Sequence, residues 1–362
     1  MLPYENEKGN NMPTIKEVAK ICGVSVATIS NIMNDKGGVS AETKKRVMKV
    51  IKEMNYTPNH VAKNLKTKNT RSIGVIAEDM TVFALPDIID GITEYCEEED
   101  YQILLINLRF YKKYADSYYQ NDDHKDIVHK EIRKLLSKQV EGIIYVAAHE
   151  RLINVLPDNL PIPMVVAYGY TNKKEIPSVI VHDANGAEEL VKHLVAYGHR
   201  KIGVIAGKKD SMHTQARLEG YQKALFAGGI LYDPNLVVYG DWDRESGRIK
   251  APELVAKDVT AIFAMNDFMA GGVYDCLDEL NKKVGEDIAV VGYDNREMAS
   301  YESPPLTTMG LPLHDMGYHA SEIILKMLKK EDVESDNGMH YIQCIPFFRE
   351  SVNKIKDDNH EC

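Results

Sequence analysis

The sequence predicts an α/β protein in three parts: a small helix-turn-helix module, a short connector and a long body of two doubly wound lobes. Three observations carry that expectation. Two short amphipathic helices broken at a glycine lie within residues 14–65. Short apolar strands and helices alternate from Arg71 to near the C-terminus. Charge is divided unevenly between these two regions.

The first helix is TIKEVAKIC, where Thr14 and Glu17 have capping-box spacing. Ile15, Val18, Ala19 and Ile21-Cys22 put an apolar stripe along one face. Gly23 permits a tight turn, and Ser25 can cap the helix that follows. Two short helices joined through such a turn form the helix-turn-helix pattern, whose second helix enters a DNA major groove. Its early residues are small or polar (Ser25, Ala27, Thr28, Ser30, Asn31), while Val24 and Ile29 can hold it to the first helix. A third helix starts at Ser40, with Val47, Val50, Ile51 and Met54 facing inward and Lys44, Lys45, Arg46, Lys49 and Lys52 outward. A Pro-broken connector with one or two further helical turns follows.

Residues 1–70 hold twelve Lys and Arg against six Asp and Glu, a balance of +6. The whole chain is −10, so the remainder carries −16, with 32 basic residues facing 48 acidic ones. A basic module that meets phosphates on an acidic body that does not is the reading this asymmetry supports. A length of 362 residues with 44% hydrophobic content supports two or three domains with sizeable cores. No apolar run approaches membrane-spanning length, and the first residues lack the basic and apolar parts of a signal peptide. The five cysteines are odd in number and scattered, with no C-x-x-C, which fits a reduced cytoplasmic protein without a zinc site.

In the body, SIGVIAED, YQILLINL, EGIIYVAA, PMVVAYGY and SVIVHDAN read as strands of a first lobe, with helices between them and a short one at RLINVLP. KIGVIAG, LVVYGDW, VTAIFAMN and DIAVVGYDN continue the pattern in a second. DMGYHASEIILKMLKK reads as a late helix and HYIQCIPFFRES as one last strand. Helices between short buried strands imply parallel sheets covered on both faces. About 290 residues is too long for one such sheet, hence two similar lobes. The turn after the first strand, AEDMTVFALP, has no dinucleotide fingerprint, and the chain has no P-loop, G-x-S-x-G or H-E-x-x-H. A lobe pair of this kind more naturally binds a small ligand at the carboxyl ends of its strands than catalyses a reaction. A sugar- or nucleotide-converting enzyme and a transport-type binding protein are the other two classes.

From Met12 onward the order of IKEVAKICGVSVATISNIMN, VSAETKKRV and NYTPNHVAKNL resembles the LacI/GalR family of bacterial transcription repressors. The resemblance implies a flexible N-terminus at 1–13, a helix-turn-helix domain at 14–57 and a hinge at 58–70 that orders on DNA. It also implies an effector-binding and dimerisation domain at 71–362, built from two flavodoxin-like subdomains of periplasmic-binding-protein type. Chain crossovers are expected near 168–183, 294–300 and 310. The implied DNA-contact set is Thr14, Ser25, Val26, Ala27, Thr28, Ser30, Asn31, Asn34, Ser40, Tyr56, Asn59, Ala62 and Leu65. Leu65 matches a leucine that wedges into the central minor-groove step. Where most relatives carry Arg to read a base, this chain has Asn31.

The implied effector-binding set is Arg217, Asn266, Asp294, Trp242, Tyr168 and His182. Arg217 can fork onto hydroxyls or a carboxylate, and Trp242 can stack on a sugar ring. Asp267, beside Asn266, reads as a helix cap. Three features depart from the family. His182 stands in VHDANGA where many relatives have Asp, Tyr168 replaces a carboxylate of some sugar binders, and Leu311 and Leu313 replace polar or aromatic groups. RFYKKYADSYYQNDDHKD, with five Tyr or Phe at 109–124, stands where relatives have a short loop, and such loops are functional or mobile. The expected protein is a cytoplasmic homodimeric repressor, with operator DNA as partner, released by a small carbohydrate and needing no cofactor or metal. The alternative is a regulator that requires a corepressor, either a purine or a phosphocarrier protein.

Overall fold

The computed structural model describes residues 13–33, 37–56, 70–119, 124–335 and 337–355. The expected contacts Asn34, Asn59, Ala62 and Leu65, and the connector through residue 69, lie outside the described residues. The chain divides into two compact units, Met1–Thr70 and Arg71–Cys362.

The first unit contains α1 (Ile15–Cys22), α2 (Val26–Met33) and α3 (Ala41–Glu53). Each helix start has a side chain that satisfies backbone donors otherwise left without partners. Thr14 and Glu17 close a full capping box, with the Thr14 N–H on Glu17 Oε2 at 2.7 Å. Ser25 Oγ accepts the Thr28 N–H at 3.1 Å, and Ser40 Oγ accepts the Thr43 N–H at 3.3 Å. Gly23 ends α1 in the left-handed region at φ 63°, where a side chain would be strained. Val18, Ala19, Cys22, Ile29, Ile32, Val47 and Tyr56 form the core, with Val24, Val50, Ile51 and Met54 packed on it. Ile21 is 52% exposed and lies outside the stripe to which it was assigned.

In the second unit, β1 (Ser72–Ala77), β2 (Gln102–Asn107), β3 (Gly142–Val146), β4 (Met164–Ala167) and β5 (Ser178–Val181) build one lobe. The other is built from β6 (Ile202–Ala206), β7 (Val237–Tyr239), β8 (Ala261–Ala264), β9 (Ala289–Asp294) and β10 (Thr307–Gly310). The late strands β11 (Met339–Ile342) and β12 (Ile345–Phe347) join one sheet each. The sheet orders are β11-β5-β4-β3-β1-β2 and β12-β10-β9-β8-β6-β7. Leaving out the late strands, each lobe has the doubly wound 2-1-3-4-5 order, which places a crevice outside the carboxyl ends of the strands. Every pairing is parallel except that of β10 with β12.

The sequence reading needs four corrections. The chain does not cross between lobes at 294–300, because β9 and β10 on either side pair in one sheet. It crosses at 181–183 and at 310–313, in keeping with the expected 168–183 and 310, and its remaining crossing lies at 342–345 instead. The single strand expected at HYIQCIPFFRES is therefore two strands, one per lobe, parted at Gln343-Cys344. RLINVLP forms no helix, since Leu152 bridges to Tyr170 and prolines follow at 157, 161 and 163. The tyrosine-rich segment is not merely a surface loop. It forms a short helix at Phe110–Tyr114 and a 3-10 turn at Ala115–Tyr119, burying Phe110 and Tyr118.

Helix Leu313–Lys329 follows β10 and the second crossing but packs against helix Ala84–Glu98 of the first lobe. The backbones meet closely. A Cβ at Gly317 would lie 1.9 Å from the Ile88 carbonyl oxygen, and one at Gly91 would lie 2.0 Å from that of His314. Gly317→Ala is expected to cost about 1–3 kcal/mol in urea unfolding, because the helices must separate to admit the methyl group. An unchanged midpoint would show that the helix pair can slide without loss.

Candidate nucleic-acid interface and effector cleft

With Ile29 and Ile32 buried, α2 turns Ser25, Val26, Ala27 and Asn31 outward, and Thr28 and Ser30 lie at its edge. Val26 is 40% exposed, an apolar side chain with no role in the core. Lys44, Lys45, Arg46, Lys49 and Lys52 are exposed along α3. Small groups on a short helix allow close approach to base edges, and lysines beside it suit phosphates. Thr14, Ser25 and Ser40 spend their hydroxyls on helix caps, where exposed first-turn N–H groups also suit phosphate. Tyr56 is a correction: its ring is 8% exposed and belongs to the core.

In the second unit the carboxyl ends of the strands gather a buried ionic cluster. Arg217, on helix Met212–Ala227, is 2% exposed. Its Nε donates to Asp183 Oδ1 at 2.7 Å, Nη1 donates to the Met265 carbonyl and lies 3.6 Å from Asp294 Oδ1, and its Cζ sits 3.7 Å from the Tyr293 ring centroid. Nη2 makes no hydrogen bond among the described residues, leaving part of the guanidinium for a ligand. His213, one helical turn before Arg217, places Nδ1 2.5 Å from Asp183 Oδ2. Burial opposes ionisation of Asp183, but Arg217 and His213 outweigh it and hold the carboxyl down at about 2. Asp294 shows the reverse balance: burial lifts it to about 6 against the pull of Arg217 and Arg296.

Trp242 is half-buried beside this cluster, 5.8 Å from the Arg217 Cζ, with its ring against the backbone of Gly207. A Cβ at Gly207 would lie 1.9 Å from Trp242 Cζ2, so only glycine admits the indole there. Asn266 is committed on both sides. Its Oδ1 accepts the Met269 N–H at 2.8 Å, capping helix Asp267–Glu279, and its Nδ2 donates to the Trp242 carbonyl at 2.9 Å. It positions Trp242, and each of its polar atoms makes one hydrogen bond within the protein. The cap expected of Asp267 is thus made by Asn266, while Asp267 is fully buried and accepts from Thr308 Oγ1 and the Arg296 N–H, each at 2.6 Å.

Tyr168, at φ 56° after β4, is 4% exposed and stands 5.8 Å ring to ring from His213. His182 is placed differently from the rest. It caps helix Asp183–Ala196, with Nδ1 accepting the Asn185 N–H at 3.3 Å, and its ring lies 5.1 Å from that of Tyr341. The carboxylate that reaches Arg217 is its neighbour, Asp183. The sequence reading missed Asp183, His213 and Glu150, the last contributed by the first lobe after β3. The spacing of His213 and Arg217, four apart on one helix, was a signal that put both on one face. Leu311 and Leu313 line a cavity of about 310 Å³ with Phe83, Asp87, Asp294, Asn295 and Arg296.

An exposed recognition helix on a basic unit, and a second unit with a polar cleft between two doubly wound lobes, define a ligand-responsive DNA-binding regulator. Comparison with known proteins makes this specific. Residues 14–59 match the family model of bacterial regulatory proteins, lacI family, and residues 191–352 match a periplasmic binding protein-like domain. The chain is 34% identical over 328 residues to the HTH-type transcriptional repressor PurR of Vibrio atlanticus, covering 89% of this chain and 94% of that protein. With PurR of Vibrio campbellii it shares 32% identity over 349 residues, covering 95% and 100%. Among solved structures it resembles the Lac repressor dimer bound to operator and the anti-inducer ONPF, at 26% identity and a TM-score of 0.75, covering 95% and 100%. It also resembles the CelR–cellobiose complex, at 28% identity and a TM-score of 0.59, covering 94% and 99%. The chain belongs to the LacI family and is a transcriptional repressor of effector-binding type, not an enzyme.

Arg217→Ala is expected to destabilise the protein by about 3–5 kcal/mol, because Asp183 and Asp294 lose their shared buried cation. Denaturant unfolding measures this. Adding Asp183→Asn and replacing Arg217 by Met should recover part of the loss, and no recovery would show that the charge pair is not the cause.

Proposed function

We propose that the protein acts as a homodimer that holds operator DNA through α2 and releases it when a small carbohydrate enters the cleft. The observation that carries this reading is the grouping of Arg217, Asp183 and Asp294 beside Trp242 at the carboxyl ends of the second lobe's strands. An indole face supplies apolar area for a sugar ring, and the free guanidinium nitrogen and carboxylates supply hydrogen bonds to its hydroxyls. The chain passes between lobes three times, so ligand in the cleft biases the angle between them. On this reading residues 14–57 are the DNA-binding domain, 58–70 the hinge that orders on operator with Leu65 as its wedge, and 71–362 the effector and dimerisation domain. A purine-type corepressor is the second reading, favoured by the identity to PurR repressors across nearly the whole chain.

Titrating sugars against Trp242 emission tests the first reading. One sugar should change emission over the concentrations at which it releases operator DNA. If purines change the emission and strengthen operator binding while sugars do neither, the second reading replaces the first.

A separate expectation concerns base choice. Asn prefers adenine and Arg prefers guanine, so Asn31 selects an operator half-site without the guanine that the usual Arg reads. Asn31→Arg should shift preference at that position by about 1–3 kcal/mol in binding-site selection from random DNA. Recovery of the same base by both proteins would remove Asn31 from base readout.

A further inference from the structure

We propose that Glu150 is a cation-binding position in the cleft and that the effector presents a protonated nitrogen to it. This rests on the carbohydrate reading above and narrows it to an amino sugar.

Glu150 follows β3, so it reaches the cluster from the first lobe, whereas Asp183, His213, Arg217 and Asp294 belong to the second. Its Oε2 accepts the Val181 N–H at 2.9 Å. The carboxylate forms no ion pair with a Lys, Arg or His among the described residues. The nearest basic side chains are committed elsewhere: Arg217 Nε and His213 Nδ1 both go to Asp183. Three carboxylates, Glu150, Asp183 and Asp294, therefore share two cations, one of them an imidazole. Arg296 does not make up the difference for Glu150. Its guanidinium stacks at 3.8 Å on Phe83 and at 4.5 Å on Phe268, and its charge acts on Asp294.

Side-chain ligand atoms of Glu150, Asp183 and His213 lie within 4.8 Å of one another. A divalent metal fits the residue types but not their surroundings. Both Asp183 oxygens are already taken, and an ion seated on them would face the Arg217 guanidinium at hydrogen-bond distance. An ammonium needs only the free Glu150 oxygen. Burial supports the same view: it pushes the Glu150 carboxyl up to about 7, partly offset by His213, so near neutral pH a proton occupies the place of the missing cation. Tyr168, Tyr170 and Cys344, the other titratable groups beside Glu150, are neutral at that pH and supply no charge.

The test uses the full-length protein and matched probes: glucosamine with glucose, galactosamine with galactose, mannosamine with mannose, and the N-acetyl form of each. Trp242 emission reads binding, and calorimetry in two buffers of different ionisation enthalpy reads proton release. One amino sugar should bind about tenfold or more tighter than its hydroxyl and N-acetyl counterparts, with a proton released. Glu150→Gln should remove both the preference and the proton release, and Glu150→Asp, which keeps the charge, should retain part of the preference. The inference alone is overturned if the hydroxyl member binds as well as the amino member, or if Glu150→Gln keeps the preference. Binding that requires added zinc or manganese and is lost in EDTA also overturns it, in favour of a metal. Failure of every sugar to bind would overturn the carbohydrate reading together with this one.

Discussion

A buried guanidinium with two carboxylates and a π-face around it is the constraint on which the cleft depends. Arg217 is anchored to Asp183 from helix Asp183–Ala196, to the Met265 carbonyl after β8 and to Asp294 and Tyr293 at the end of β9. Three chain segments are thereby fixed to one planar group. Desolvating such a pair costs several kcal/mol per ion, recovered only when the geometry is complete. The first lobe repeats the device. Glu78, fully buried after β1, receives Arg151 Nη2 at 2.7 Å, Nη1 at 2.9 Å, the Ala148 N–H and the Tyr145 hydroxyl. Here the tyrosine-rich segment supplies the aromatic partner: Arg151 Cζ lies 5.2 Å from the Tyr118 ring. The insertion therefore has a definite structural role, to cover a buried ion pair at the strand ends of its own lobe.

The same economy of positions governs the connections. Helix Leu313–Lys329 follows the second lobe's β10 yet packs on the first lobe's helix Ala84–Glu98, and β11 and β12 then complete one sheet each. Neither lobe is a contiguous segment of chain. The crossing at 342–345 is itself packed, with Cys344 Sγ 3.2 Å from the Tyr293 hydroxyl, which in turn donates to the Asp183 carbonyl. Relative motion of the lobes must therefore pass through dihedral changes at three crossings, one of them touching the residues around Arg217. That is the kind of element through which occupation of a cleft can alter a distant equilibrium.

How much of this was legible from the sequence varied with the range of the interaction. Caps and helix faces at Thr14, Ser25 and Ser40 are local, and their spacing states them. The alternation of strands and helices gave the lobes, because burial on both sheet faces leaves continuous apolar runs. The split at Gln343-Cys344 was hidden because HYIQCIPFF holds no glycine or charged residue to mark a break, and nothing within it says that its halves serve different sheets. Arg217, Trp242 and Asp294 were reached through resemblance. Glu150 and the commitment of Asn266 to Trp242 depend on contacts between residues far apart in sequence, which composition and period do not encode. His182 stands where the resemblance implies a cleft residue, yet it caps a helix, and the next side chain, Asp183, is the one aimed at Arg217.

The first unit works under a different limit, since a core of seven buried residues among those described leaves little to spare. Its described helices are eight, eight and thirteen residues long, too short to persist alone, so caps and mutual burial must supply their stability. In α2 the requirement consumes Ile29 and Ile32 for packing and Ser25 for the cap. The side chains left over are Val26, Ala27 and Asn31, with Thr28 and Ser30 at the margin. None carries a charge, so this face can add little nonspecific attraction for phosphates, which is left to the lysines of α3. On the proposed reading, affinity and sequence choice reside on separate helices. Substitutions on α2 can change which operator is preferred with little effect on the salt-dependent grip, and substitutions on α3 can do the opposite.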